Sequence, residues 1–146
     1  MPEKTVMDLA LTYLSRQAYC RTKLLSKLER SGFSKEEILE CLNRLGSWGY
    51  LDDWRFGANR VQTLISKFKS RRYIEVNLIK TGLDPTMVRE LLGEFYPEKL
   101  ELDIAKKYLL SKKSSSPREK IKELAGLARA GFAEETIRKC FPEETL

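Results

Sequence analysis

The sequence predicts an all-α fold made of three tandem three-helix, helix-turn-helix-like repeats. Three observations predict it. Gly32, Gly82 and Gly131 lie 50 and 49 residues apart, each at the same place in an apolar pattern, and self-similarity at a fixed period marks a repeat architecture. Apolar residues between the glycines fall at helical spacing. Only 8 glycines and 5 prolines occur in 146 residues, too few for the tight turns of an all-β chain.

Each glycine is followed by a large apolar residue (Phe33, Leu83, Phe132) and preceded four residues earlier by Leu28, Leu78 or Leu127. Six residues after it comes Ile38, Val88 or Ile137, then Cys41, Leu91 or Cys140, then Leu42, Leu92 or Phe141. The repeats on this register are 1–50, 51–97 and 98–146. Their first helices carry Met7, Ala10, Leu11 and Leu14, then Ala58, Val61, Ile65 and Phe68, then Ile104, Ala105, Tyr108 and Leu109, each set forming one apolar face. The second helix of each unit runs to the glycine, whose freedom to adopt positive φ suits the residue just past a helix end. The third helix starts directly after it. Ser34 with Glu37 reads as a capping box, and Asp84-Pro85 as a capping acid before a proline at the first helical position. Ser116-Pro117-Arg118-Glu119 combines both devices, whereas Ala133 offers no cap, so the last helix is expected to fray most.

A position that accepts Cys41, Leu91 and Cys140 is a small buried apolar site, where free cysteine serves as core. Cys20, near a helix start, is expected to be the thiol that reacts in the native protein. Three cysteines without a CxxC pair, and no signal-like or long apolar stretch, point to a reducing cytosol and away from a membrane. Charged residues make up 33 % and apolar ones 42 %, at a mean hydropathy of −0.43, which is enough for a core. The formal charge of +6 is spread evenly: 8 basic against 6 acidic residues in 1–50, 8 against 6 in 51–97, and 11 against 9 in 98–146. Such a surface suits nucleic acid or an acidic protein face. Histidine is absent, which removes the commonest general base. With no nucleotide-binding loop, hydrolase elbow or metal motif, the expectation is a monomeric binding protein without catalysis, cofactor or metal.

The densest basic cluster is Lys67, Lys69, Arg71, Arg72 and Lys80, at a helix junction where side chains can converge on phosphates or carboxylates. A second run, Lys106 to Lys122, encloses a single acid, Glu119, and surrounds Ser114-Ser115-Ser116, which reads as a connector. Asp52 and Asp53 read as caps rather than a metal pair, with Gly49 ending one helix and Asp53 capping the next. Trp48, Tyr50, Trp54 and Phe56 read as a seam between repeats. Lys27 reads as ordinary surface.

Between the first two repeats runs Gly49-Tyr50-Leu51-Asp52-Asp53-Trp54-Arg55-Phe56. Upstream lie Arg16-Gln17-Ala18-Tyr19 and Lys23-Leu24-Leu25-Ser26-Lys27-Leu28; downstream lies Lys69-Ser70-Arg71-Arg72-Tyr73-Ile74. This order resembles the RecX family, bacterial modulators of the RecA recombinase, over nearly the whole chain. The resemblance implies an elongated, curved row of three-helix modules that binds the RecA filament on single-stranded DNA and mostly inhibits RecA. Lys67, Lys69, Arg71 and Arg72, with Arg16, Arg21 and Lys23, are the expected contacts to filament or phosphate; Gly49, Tyr50, Leu51, Asp52, Asp53, Arg55 and Phe56 form the motif at the repeat junction. The family usually opens its second helix with Ser-x-x-Glu, where this chain has Cys20 and Lys23, a lost cap worth about 1 kcal/mol. Weak direct DNA contact is compatible with this filament reading; the other reading is a direct DNA-binding helix-turn-helix or winged-helix regulator.

Overall fold

The computed structural model describes residues 4–112 and 117–141. Among these residues it has nine helices and no strand. The first trio is α1 (Val6–Arg16), α2 (Arg21–Glu29) and α3 (Lys35–Ser47); the second is α4 (Asp53–Ser66), α5 (Arg71–Thr81) and α6 (Pro85–Phe95). The third is α7 (Glu98–Lys112), α8 (Pro117–Arg129) and α9 (Glu134–Cys140). The three repeated glycines follow α2, α5 and α8 with φ of 87°, 110° and 92°, the left-handed conformation that their spacing predicts. Ser34 accepts from the Glu37 N–H at 3.2 Å, and its hydroxyl donates to the Glu37 carboxylate at 3.1 Å, so only the serine half of the expected capping box forms. Asp84 makes no side-chain cap bond, so only Pro85 of that pair acts as expected. Ser116 lies outside the described residues.

Two cores hold the helices together. The first joins Ala10, Leu24, Leu28, Ile38, Cys41, Leu42 and Leu45, with Leu51 reaching back from beyond α3. The second is continuous through the other two trios and runs from Val61, Ile74, Leu78, Leu91 and Tyr96 to Ile104, Leu127 and Phe132. Leu11, expected on the inner face of α1, is 40 % exposed; Ala10 takes the buried position beside it. Lys27 is not free surface either. Its ammonium lies 5.0 Å from the centroid of Tyr13 and 5.2 Å from that of Tyr19, tying α1 to α2 by cation–π attraction.

Repeat symmetry explains a volume exchange. Met7 and Cys41 meet at 3.8 Å in the first core. Fifty residues on, the same two positions hold Gly57 and Leu91, and a Cβ on Gly57 would collide with the Leu91 side chain. A large-small pair has become a small-large one, as dense packing requires.

The thiols reverse one expectation. Cys20 is buried, donates its S–H to the Thr81 carbonyl at 3.3 Å and packs with the second core. Cys41 is buried as expected, whereas Cys140 is only partly so. Burial raises the pKa of all three, with Lys106 partly opposing this at Cys140. Native labelling with a thiol reagent should therefore modify Cys140 first, and Cys20 and Cys41 only on unfolding. Rapid native labelling of Cys20 would contradict the packing of α2 against α5.

That packing is built twice. The Cys20 end of α2 abuts the C-terminal end of α5, with Thr22 Cβ 3.1 Å from where a Cβ on Gly82 would stand. The Ser70 end of α5 abuts the end of α8 in the same way. The Ser70 hydroxyl accepts from the Tyr73 N–H at 3.1 Å and donates to the Ala130 carbonyl at 2.8 Å, while a Cβ on Gly131 would stand 2.9 Å from its oxygen. Positive φ favours glycine at both junctions, and room for a Cβ is tight at Gly82 and lacking at Gly131 unless Ser70 shifts. Each contact joins the positive end of one second helix to the carbonyl end of the next, a favourable meeting of dipoles.

Candidate partner-binding surface

The junctions determine where the basic residues stand. Arg21 and Lys23 lie in the first turn of α2; Arg71 and Arg72 lie in the first turn of α5. Neither turn contains an acid. Cations here oppose their own helix dipole, but the carbonyl end of the next second helix lies alongside and offsets that cost. The sequence-predicted cations then divide. Arg21 donates through Nη2 to Asn43 Oδ1 at 2.9 Å, and Arg71 through Nε to the Tyr96 carbonyl at 3.4 Å. Lys69 is half-buried and holds its Nζ 4.7 Å from the Tyr73 ring centroid. Arg16, Lys23, Lys67 and Arg72 are exposed, and among the described residues the side chains of Lys23, Lys67 and Arg72 have no ion-pair or hydrogen-bond partner. The three ion pairs among described residues all join positions i and i+4 on a helix surface; Glu134 and Glu135 of two of them border the grooves that Arg71 and Arg72 line, but pair with Arg138 and Lys139 of their own helix. Of the second basic run, Lys106, Lys107 and Lys122 are exposed, while the side chains of Lys112, Lys113, Arg118 and Lys120 lie outside the described residues.

The Gly49–Phe56 string is a joint in which nearly every residue has a task. Gly49 turns the chain at φ 82°, and its carbonyl accepts from Arg55 Nη2 at 3.2 Å. Leu51 fills the first core and Phe56 packs on the second. Asp52, not Asp53, caps α4, accepting from the Arg55 N–H at 3.1 Å. Asp53 turns the other way and accepts the Arg21 N–H at 2.8 Å. The expected cap was therefore one residue out, and the two carboxylates serve different helices.

Trp48 and Tyr50 do not form the expected seam. They are 56 % and 62 % exposed, because the chain leaves α3 outward before Leu51 turns back. Trp54 and Phe56 do pack inward, with Trp54 6.3 Å from the Phe95 ring.

A family model described as "RecX, first three-helix domain" matches residues 7–45. The regulatory protein RecX of Chlorobium phaeobacteroides is 30 % identical over 138 residues, covering 94 % of this chain and 91 % of that protein. The chain belongs to the RecX family. The regulatory protein RecX of Caldanaerobacter subterraneus is 29 % identical over 136 residues, covering 93 % of this chain and 68 % of the relative. The crystal structure of RecX from Lactobacillus salivarius shares the fold, with a TM-score of 0.81 at 24 % identity over 94 % of this chain and 93 % of that one. No helix among the described residues is long and apolar enough to cross a membrane.

For a RecX chain with Cys20 at the N-cap of its second helix, Asp53 supplies from the next repeat the acceptor that Cys20 lacks. Asp53→Ala should cost about 1–2 kcal/mol by leaving the half-buried Arg21 N–H unpaired. Asp53→Asn keeps an acceptor and should cost clearly less in the same urea titration. Equal losses would mean that charge, not the hydrogen bond, matters there. The third repeat uses the same device: buried Glu101 of α7 accepts the Ala133 N–H at 2.8 Å, so the uncapped start of α9 is held from outside. Tyr96, fully buried, donates its hydroxyl to the Lys69 carbonyl at 3.2 Å; burial first, and Glu101 second, push its pKa far up. No local sequence signal marks these three residues as partners.

Proposed function

We propose that this chain is a non-catalytic regulator that binds the RecA filament on single-stranded DNA and mostly inhibits the recombinase. The observation that carries the reading is the set of unpaired cations, Lys23, Lys67 and Arg72, at corresponding junctions of successive repeats. Repeats over 1–50, 51–97 and 98–146 would place such groups at intervals along one molecule. Several modest contacts on a linked scaffold then add up through effective concentration. The chain acts in the cytoplasm as a monomer and needs no cofactor, because the recombinase's own nucleotide hydrolysis can drive disassembly. A pull-down with RecA, with and without single-stranded DNA and a non-hydrolysable nucleotide, tests this directly. Retention should be strongest when both are present; retention independent of RecA would refute it.

A further inference from the structure

Helix α5 is apolar on two opposite faces. Ile74 and Leu78 are buried in the core, while Tyr73, Val76 and Ile79 are 40 %, 43 % and 40 % exposed. At 3.6 residues per turn, Ile79, Arg72, Val76, Lys80 and Tyr73 follow one another across roughly 120° of the circumference, opposite the core. The stripe is therefore continuous, with its cations interleaved among the apolar side chains. The fold does not demand it. The same three positions hold Lys23, Ser26 and Glu29 in α2, and Lys122, Ala125 and Ala128 in α8. Only the central second helix carries large apolar groups there. Beside the stripe, Arg72 and Val76 form one wall of an open groove of about 830 Å³ whose far wall is Ala128 and Arg129 of α8; Glu75, Glu101 and Glu134 also line it, so the positive charge lies on the stripe rather than in the groove.

We infer that this outer face of α5 docks a protein segment that presents large apolar side chains flanked by carboxylates. The apolar stripe would cover the segment's own apolar side chains, and Arg72 and Lys80 would meet its acids. Val76 and Ile79 are aliphatic and offer little to a phosphate or a stacked base, which favours protein over nucleic acid. The inference rests on the reading above for the partner's identity: the segment belongs to the recombinase. Val76 and Ile79 thus give affinity that salt does not screen, distinct from that of the free cations.

The test compares Val76→Asp, Ile79→Asp and the milder pair Val76→Ala with Ile79→Ala against Gln62→Asp, an exposed mid-helix site on α4. Binding to RecA-coated and to naked single-stranded DNA is measured for each. The two acidic variants should bind RecA-coated DNA about tenfold more weakly or worse, the alanine pair should fall between, and Gln62→Asp should stay within about twofold of wild type. Naked-DNA binding should not follow the same order. Wild-type affinity in the Val76 and Ile79 variants overturns the docking face and leaves the proposed function standing. Equal losses on naked DNA also overturn it, showing that the face contacts nucleic acid. Failure of the wild-type chain to bind coated DNA overturns the proposed function and this segment's identity with it.

Discussion

Leu91→Ala should lower the unfolding free energy by about 2–5 kcal/mol, the range for truncating a fully buried leucine. Leu91 has no exposed surface and sits against Gly57 of α4. The informative partner is Gly57→Ala. In the wild-type background the new methyl meets the Leu91 side chain, and overpacking costs about 1–3 kcal/mol. The gain in helix propensity of roughly 1 kcal/mol does not recover that. With Leu91→Ala already in place, the main clash is gone and only the Leu83 Cδ1, 3.2 Å from the new methyl, has to give slightly, so the propensity gain prevails. Gly57→Ala should therefore destabilise the wild type and stabilise the Leu91→Ala variant, a change of sign visible in a urea double-mutant cycle. The same effect in both backgrounds would break the correspondence between the Met7–Cys41 and Gly57–Leu91 pairs.

The second large effect concerns Arg71 and Arg72. Replacing both with glutamate changes the charge by −4, two positive charges lost and two negative gained. Inhibition of RecA ATPase should weaken about tenfold or more, and the wild-type inhibition should fade with salt while the variant's dependence is flatter. The single variants separate function from fold. Arg72→Glu alters an exposed side chain and should shift stability by no more than about 0.5 kcal/mol. Arg71→Glu removes the bond to the Tyr96 carbonyl and places a carboxylate among Glu98, Glu101 and Glu135, so it should destabilise measurably. The function is best read from Arg72→Glu. If that variant inhibits like wild type at every salt concentration, Arg72 belongs to a solvated face.

What the sequence reveals here is what local physics controls. Positive φ at Gly32, Gly82 and Gly131, the Ser34 cap and the core positions around Leu28, Leu78 and Leu127 all follow from spacing within one repeat. What it conceals is contact between repeats. Asp53 caps a helix of the preceding repeat, 32 residues away in sequence; within the third repeat Glu101 does the same for Ala133 across an equal separation, and nothing near either acid marks its partner. The exposure of Trp48 and Tyr50 depends on the path between two packed units, which aromatic content cannot predict. The burial of Cys20 likewise follows from the approach of α5. Of the candidate cations, type and position were legible, but Arg21 and Arg71 have internal partners that only the fold discloses. The outer stripe of α5 lay within reach, since comparing residues 73, 76 and 79 with their repeat counterparts exposes it.

On the proposed function, this chain recognises the recombinase filament rather than DNA itself. The most direct measurement is its affinity for single-stranded DNA with and without bound RecA, at two salt concentrations. Binding should be tight to the coated strand and weak to the naked strand, and the first should be lost on Arg72→Glu. Equal affinity for both strands, with Arg72→Glu weakening each alike, would contradict it and identify the basic junctions as a general phosphate site.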